Sequence, residues 1–319
     1  MTAPRFLATS HGTNREAFTA SDWVIFVSLA LLWGSSFLFI AIGLDAFHPG
    51  LVTLLRVGLG AGFLALIPRT RTIKIDREDR TKVSLIAAIW VAIPFTLFPI
   101  AQQWIDSAVA GMLNGATPIF TAIVATALLR SLPGPMQIAG LLIGFAGILA
   151  IALPSAGSGT TAAIGVFMVV AATVCYAVSL NIVTPLQQKY GSLPLMARIL
   201  AVATVMVTPF GLVGLGESTF AWSSLLAVAS IGILGTGLAF ILMGTLAGSV
   251  GATRASFITY LIPVVALVLG VVFRGEVISP VAVSGVFLVI VGALLASRRE
   301  TPKAVVTVPG SGSEQRSPA

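Results

Sequence analysis

Arg56 is a charge where a charge is costly, because it lies inside a long apolar run. In hydrocarbon an arginine needs a partner or a watery cavity. Its planar guanidinium can grip a carboxylate or phosphate through two parallel hydrogen bonds. One reading is therefore a substrate anion, and the other is a structural tie to backbone carbonyls or a side chain snorkelling to the interface. Arg198, near the start of a later run, poses the same choice. Asn114 precedes Pro118 by four residues, and Thr259 and Tyr260 precede Pro263. A proline inside a helix removes an amide and leaves the carbonyl four residues back without its usual partner. Pro118 and Pro263 are thus expected helix kinks, and a substrate or water could use the carbonyl of Asn114; a packing kink with Asn114 bonded across helices is the alternative. Trp33 and Tyr176 sit deep in their runs, as pocket walls for an apolar or cationic group or as plain core. Gln102, beside Gln103, and Asn181 offer both donors and acceptors. Trp33, Arg56, Gln102, Asn114, Tyr176, Asn181, Thr259 and Tyr260 form the candidate substrate-binding set.

Other chemistries lack their residues. His11 falls in the polar N-terminal stretch, His48 in a loop, and the single Cys175 has no histidine beside it in sequence, so no catalytic constellation and no metal site is expected. No phosphate-binding Gly-Lys-Thr or Gly-Lys-Ser loop occurs, and no cofactor is implied. Asp22, Asp45, Asp106, Glu217 and Glu276 all fall at predicted helix ends, where capping or solvation accounts for them. Facilitated movement, exchange and proton coupling all stay open.

These residues are carried by a chain made for lipid. Of 319 residues 57% are hydrophobic and only 9% charged, with a mean hydropathy of +1.03. The pI near 10.3 would fit a nucleic-acid partner if the basic residues formed a patch, but they are scattered in short segments between apolar runs, so none is expected. A bilayer core of about 30 Å takes roughly 20 apolar helical residues. About ten segments qualify, near 22–43, 49–67, 83–104, 107–129, 136–153, 163–185, 194–215, 222–246, 250–273 and 280–297. The breaks hold turn formers or charge, as at His48-Pro49, Arg69 to Lys82, Leu132-Pro133-Gly134-Pro135, Pro154 to Gly159 and Gly191 to Pro194. With the N-terminus inside, the inner segments collect Arg5, Arg15, Arg69, Arg71, Lys74, Arg77, Arg80, Lys82, Arg130, Lys189, Arg298, Arg299, Lys303 and Arg316. Among the loop Lys and Arg residues only Arg274 falls outside, which favours both termini in the cytoplasm of a multi-pass plasma-membrane protein. The stretch from Arg69 to Lys82, interrupted by Asp76, Glu78 and Asp79, is expected to face water.

The register shift that carries Pro118 onto Pro263 also carries Pro135 onto Pro280, Gly140 onto Gly285 and Gly147 onto Gly292. Similar shifts pair Trp33 with Tyr176, Ser36 with Ser179 and Arg56 with Arg198. Coincident prolines and glycines mark backbone features rather than apolar filler. The expected fold is an all-α integral membrane protein of ten transmembrane helices arranged as two inverted five-helix repeats. Its parts are an N-terminal cytoplasmic tail (1–21), a first repeat (22–153), a second repeat (163–297) and a C-terminal cytoplasmic tail (298–319). Five is odd, so the second copy crosses in the opposite sense, an arrangement suited to alternating access at a central cavity.

Leu32-Trp33-Gly34-Ser35-Ser36-Phe37, Arg56, Asn114-Gly115-Ala116-Thr117-Pro118, and Tyr260-Leu261-Ile262-Pro263 with Gly275-Glu276 resemble the EamA family of the drug/metabolite transporter superfamily, over about residues 22 to 297. Members often carry a second Gly-Glu pair after the fourth helix, where this chain reads Arg130-Ser131. The resemblance implies a transporter, commonly an exporter of amino acids, related metabolites or toxic compounds. Its partners would be a small-molecule substrate and the lipid bilayer. The fifth and tenth helices, almost wholly Ile, Leu, Val, Ala and Gly, suit packing or the contact of a homodimer. A membrane-embedded receptor or enzyme without transport activity is the alternative class.

Overall fold

A computed structural model describes residues 18–71, 73–129 and 134–296. The tails, His11, Arg130-Ser131 and Leu132-Pro133 lie outside the described residues. Among the described residues there is helix and no strand. The apolar runs fold as α1 (Ala20–Leu44), α2 (Pro49–Ala65), α3 (Arg77–Ala101), α4 (Ser107–Leu128), α5 (Pro135–Ala156), α6 (Thr160–Ile182), α7 (Ser192–Leu215), α8 (Trp222–Val250), α9 (Ser256–Arg274) and α10 (Pro280–Ala296). Eight of them are long and apolar enough to cross a membrane, while α2 and α10, at 17 residues each, are shorter apolar helices.

The helix ends follow from local chemistry. α1 opens with a capping box: Asp22 N donates to Thr19 Oγ1 at 3.2 Å and Thr19 N donates back to the Asp22 carboxylate at 2.9 Å. α2 begins with Pro49, whose missing amide is no loss in a first turn, and His48 Nδ1 accepts from Gly50 N at 3.1 Å. α9 ends at Gly275, whose φ of 65° is a left-handed conformation that glycine adopts without strain.

Several helices leave the α conformation at mid-depth. α3 carries a π-helical turn at Ala87–Ala92, just upstream of Pro94, whose ring conflicts with the carbonyl of Trp90 four residues before it. α8 carries one at Ile233–Leu238, through Gly235 and Gly237. α4 is made of two pieces, Ser107–Asn114 and Thr117–Leu129, interrupted at Gly115-Ala116 before Pro118. α9 opens as a 3-10 turn at Ser256–Tyr260 and becomes α-helical at Ile262, with Pro263 in the first turn. The two kink prolines therefore stand just after helix interruptions. The carbonyl of Asn114, expected to be available to a ligand, is taken by the Thr117 hydroxyl at 2.7 Å.

Packing follows a regular exchange. α1 lies against α8 and α9, and α6 lies against α3 and α4; α2 meets α8 as α7 meets α3. α2 pairs with α7, α4 with α9 and α5 with α10. The α5–α10 seam is backbone against backbone. A Cβ on Gly147 would stand 2.7 Å from Gly285 O and Val289 N, and Gly140 faces the Gly292 carbonyl in the same way.

The ends of the bundle are tied by charge. The interrupted basic run is not simply a water-facing strip. Asp79 is 5% exposed and accepts from Lys82 (2.8 Å), Lys189 (2.6 Å) and the Tyr190 hydroxyl (2.8 Å). Lys189 also pairs with Asp76 at 2.7 Å, and this bond holds the Asp76 carboxyl below its usual range and the ammonium above its own. At the opposite end, Glu276 caps the start of α4: Ser107 N (2.9 Å), Ser107 Oγ (2.6 Å) and Ala108 N (2.8 Å) all donate to its carboxylate. Neighbouring Asp106 is pushed above the usual carboxyl range by burial first and by the Glu276 charge second. Arg274 grips Asp45 with two bonds, at 2.7 and 3.0 Å.

Two stability outcomes follow. Gly147→Leu should cost about 1–3 kcal/mol or more through overpacking, read as a lower unfolding temperature in detergent, whereas Gly62→Leu, with open space around it, should stay within about 0.5 kcal/mol. Glu276→Ala strips three charge-assisted bonds from the start of α4 and should cost roughly 2 kcal/mol in the same measurement.

Candidate functional site

The departures from α-helix converge on one cavity of about 210 Å³. α1 contributes Trp33, Ser36 and Phe37, α2 contributes Arg56, and α3 contributes Trp90, Phe95 and Phe98. Asn114 and Thr117 of α4 and Tyr176 of α6 complete one side. Gly235 and Phe240 of α8, with Ser256 and Thr259 of α9, complete the other. α5, α7 and α10 supply none of its lining.

Arg56 is 6% exposed. Its guanidinium carbon stands 3.8 Å from the centroid of the Phe95 ring, and its Nε donates to Thr236 Oγ1 at 3.4 Å. That hydroxyl, in the π-turn of α8, donates in turn to the carbonyl of Ile231 at 2.9 Å, just ahead of the turn. Arg56 makes no ion pair among the described residues. A desolvated charge held only by neutral groups costs several kcal/mol, so the site is electrostatically prepared for an anion.

The walls are aromatic. Phe37 and Phe98 meet edge to face at 5.4 Å, and Phe98 continues to Tyr176 at 6.0 Å; with Phe37 5% and Phe98 2% exposed, this stack closes the cavity toward the α3–α4 joint. On the opposite side Phe240 meets Trp33 at 6.4 Å and Trp90 at 6.2 Å. The Asn114 side-chain oxygen is buried and has no hydrogen-bond partner, although an amide of this kind normally finds one.

Five members of the candidate set therefore meet here: Trp33, Arg56, Asn114, Tyr176 and Thr259. Three do not. Gln102 lines a separate space of about 530 Å³ with Gln103, Asp106, Ser155 and Ser279, between the α3–α4 joint, the end of α5 and the α9–α10 joint; both its amide atoms are buried without a partner. Asn181 ties α6 to α4 through the Thr121 carbonyl (3.2 Å) and bonds Ala177 O at 2.9 Å. Tyr260 reaches the Ala293 carbonyl of α10 at 3.4 Å, its ring stacked on Phe257. Arg198, the counterpart of Arg56, stands outside the cavity and donates to the carbonyls of Arg71 (3.3 Å) and Ile73 (3.0 Å), the structural alternative considered for it. The sequence reading missed Phe95, Trp90, Phe240 and Thr236. Pro94 beside Phe95, and the two glycines flanking Thr236, were the available signals of irregular helix at those places.

Comparison with known proteins agrees with this architecture. The model of the EamA-like transporter family matches residues 22–153 and 163–298. A protein of Streptantibioticus cattleyicolor named "Probable terminal-alkyne amino-acid exporter" is 26% identical over 281 residues, 87% of this chain and 93% of that one. "Uncharacterized transporter YdfC" of Bacillus subtilis (strain 168) is 26% identical over 249 residues, 77% of this chain and 81% of its own. A solved structure titled "Crystal structure of protein" shares the fold with a TM-score of 0.58 and 19% identity, covering 88% of this chain and 97% of that one. With both matched segments spanning most of its length and enclosing the buried arginine and its aromatic walls, this chain belongs to the EamA-like transporter family.

Proposed function

We propose that this protein carries small organic metabolites, of the size of amino acids and related compounds, out of the cell by alternating access. The observation that carries the reading is the cavity itself. It lies where α1, α8 and α9 face α6, α3 and α4, and it is shut toward one end of the bundle by the Phe37–Phe98–Tyr176 stack.

The fold is read as two inverted repeats of five spans, 22–153 and 163–297. The support is an exchange of α1 with α6, α2 with α7, and so on to α5 with α10, which maps the main helix pairs onto one another: α1–α8 onto α6–α3, α1–α9 onto α6–α4, α2–α8 onto α7–α3, and α2–α7, α4–α9 and α5–α10 onto themselves. Under the same exchange the π-turn of α3 falls on that of α8, and the interruption of α4 on the irregular start of α9. Ser36 and Ser179 even bond the same way, each to the carbonyl four residues back. At 17 residues α2 and α10 reach about 25 Å as helices, enough to span with slight thinning of the bilayer. The bias of Lys and Arg toward one set of loops supports a cytoplasmic location for both termini, and the protein is read as one of the plasma membrane. On that frame the aromatic stack is the outer closure, and Trp33, Arg56, Asn114, Tyr176 and Thr259 touch the substrate. The amino-acid substrate in the name of the Streptantibioticus cattleyicolor relative supports a metabolite of this size.

Purified protein in proteoliposomes should show saturable, protein-dependent counterflow for some member of a mixed metabolite pool that includes amino acids. Arg56→Ala should lower it at least tenfold while the unfolding temperature stays near that of the wild type. Absence of protein-dependent flux for every member would sink the transport reading. A green fluorescent protein fused after Ala319 should fluoresce and an alkaline phosphatase fused there should be inactive; the reverse pair would place the C-terminus outside.

A further inference from the structure

Resting on the transport reading, we infer that the Arg56 cavity selects a small organic monoanion, a carboxylate on an aromatic or aliphatic body without an ammonium group, over a zwitterion or cation of the same shape. The first support is the charge balance. Arg56 is held by a hydroxyl and a ring face, and it forms no other side-chain bond among the described residues. The described lining contains no Asp and no Glu. One bound carboxylate therefore neutralises the site. A dianionic phosphate would leave a negative charge uncompensated among aromatic rings, where a lone charge is poorly tolerated. An amino acid would satisfy Arg56 with its carboxylate but leave its ammonium with no anionic partner, only neutral acceptors such as the Asn114 side-chain oxygen to meet it.

The second support is the form of the wall. Aromatic faces can hold an ammonium when they stand open around it. Here Phe240 is engaged edge to face with both Trp33 and Trp90, so the three rings form one packed group instead of standing apart as a cage around a cation. The third is size. A volume of about 210 Å³ is below the roughly 300–1,000 Å³ of drug-sized sites, and so takes one ring or a short chain beside the carboxylate.

The same geometry makes Thr236 a positioning residue. Its hydroxyl hydrogen is committed to the Ile231 carbonyl, so it turns a lone pair to Arg56 Nε and leaves the terminal guanidinium nitrogens for the ligand.

Three probes share one body and differ only in charge: 3-phenylpropanoate, phenylalanine and 2-phenylethylamine. Binding to the full-length protein in nanodiscs at pH 7.5, measured by calorimetry, should favour 3-phenylpropanoate at least tenfold over each of the others. Arg56→Gln should abolish the preference, Arg56→Lys should keep part of it, and Thr236→Val, close to isosteric but without the hydroxyl that holds Arg56 Nε, should weaken anion binding several-fold, with the unfolding temperature of each variant measured alongside. Phenylalanine binding as tightly as the anion, no binding of the anion, or a preference unchanged in both Arg56→Gln and Thr236→Val would overturn the inference. Flux of the same probes in proteoliposomes separates the two readings. Protein-dependent flux of phenylalanine but not of 3-phenylpropanoate overturns the anion class and leaves transport standing. The expected binding order without protein-dependent flux of any probe supports the anion site and overturns transport.

Discussion

Hydrocarbon offers no hydrogen bonds, so a peptide group released from its helix at membrane depth has to be satisfied by the protein itself or by water in a cavity. This restriction explains where the irregular backbone lies. The π-turns of α3 and α8, the interruption of α4 and the 3-10 start of α9 all border the space around Arg56. Three of them are repaired locally by a threonine. Thr117 bonds the carbonyl of Asn114, Thr236 that of Ile231, and Thr259 that of Ser256. The threonines that complete the backbone are also polar groups at or beside the cavity, so stability and polarity come from one set of side chains.

Arg56 depends on the same arrangement. A guanidinium in a dry apolar bundle would be driven out toward an interface, yet this one stays buried because a ring face and one hydroxyl stabilise it and because it borders a cavity. The hydroxyl belongs to a helix that could not present it without the π-turn, since the extra residue per turn shifts which side chains face inward. Away from the cavity the packing is of the opposite kind. α5 and α10 meet through glycines with little room for any Cβ, whereas the cavity side is filled by large aromatic rings.

The helices themselves could be read from the sequence, because twenty apolar residues between turn formers have few other fates. The breaks at Pro118 and Pro263 were legible too, since proline writes its backbone effect directly. The π-turns were not. Pro94 lay in view, but neither proline nor glycine announces which turn will widen, and widening is decided by the neighbouring helix. Within the site, Trp33, Arg56, Asn114, Tyr176 and Thr259 were found because polar or amphipathic groups in lipid are conspicuous. Phe95 and Phe240 were hidden among eighteen phenylalanines, none distinguishable before the helices are assembled. Gln102, Asn181 and Tyr260 share the chemistry of ligand contacts, and only depth and rotation within the bundle direct them to another space or to helix-tying bonds.

On the proposed reading of two inverted copies, Arg198 draws out a consequence of having both on one chain. Two separate identical subunits meeting in opposite senses would bring every side chain to the shared space in pairs, and its charge could only be even. Covalent linkage frees the copies to differ. Arg56 has kept the interior, while Arg198 has been given to the rim, where it fastens the backbone at Arg71 and Ile73. On that reading, a single odd charge at the centre of a nearly two-fold body would give the proposed cargo a head and a tail, with one way round to lie.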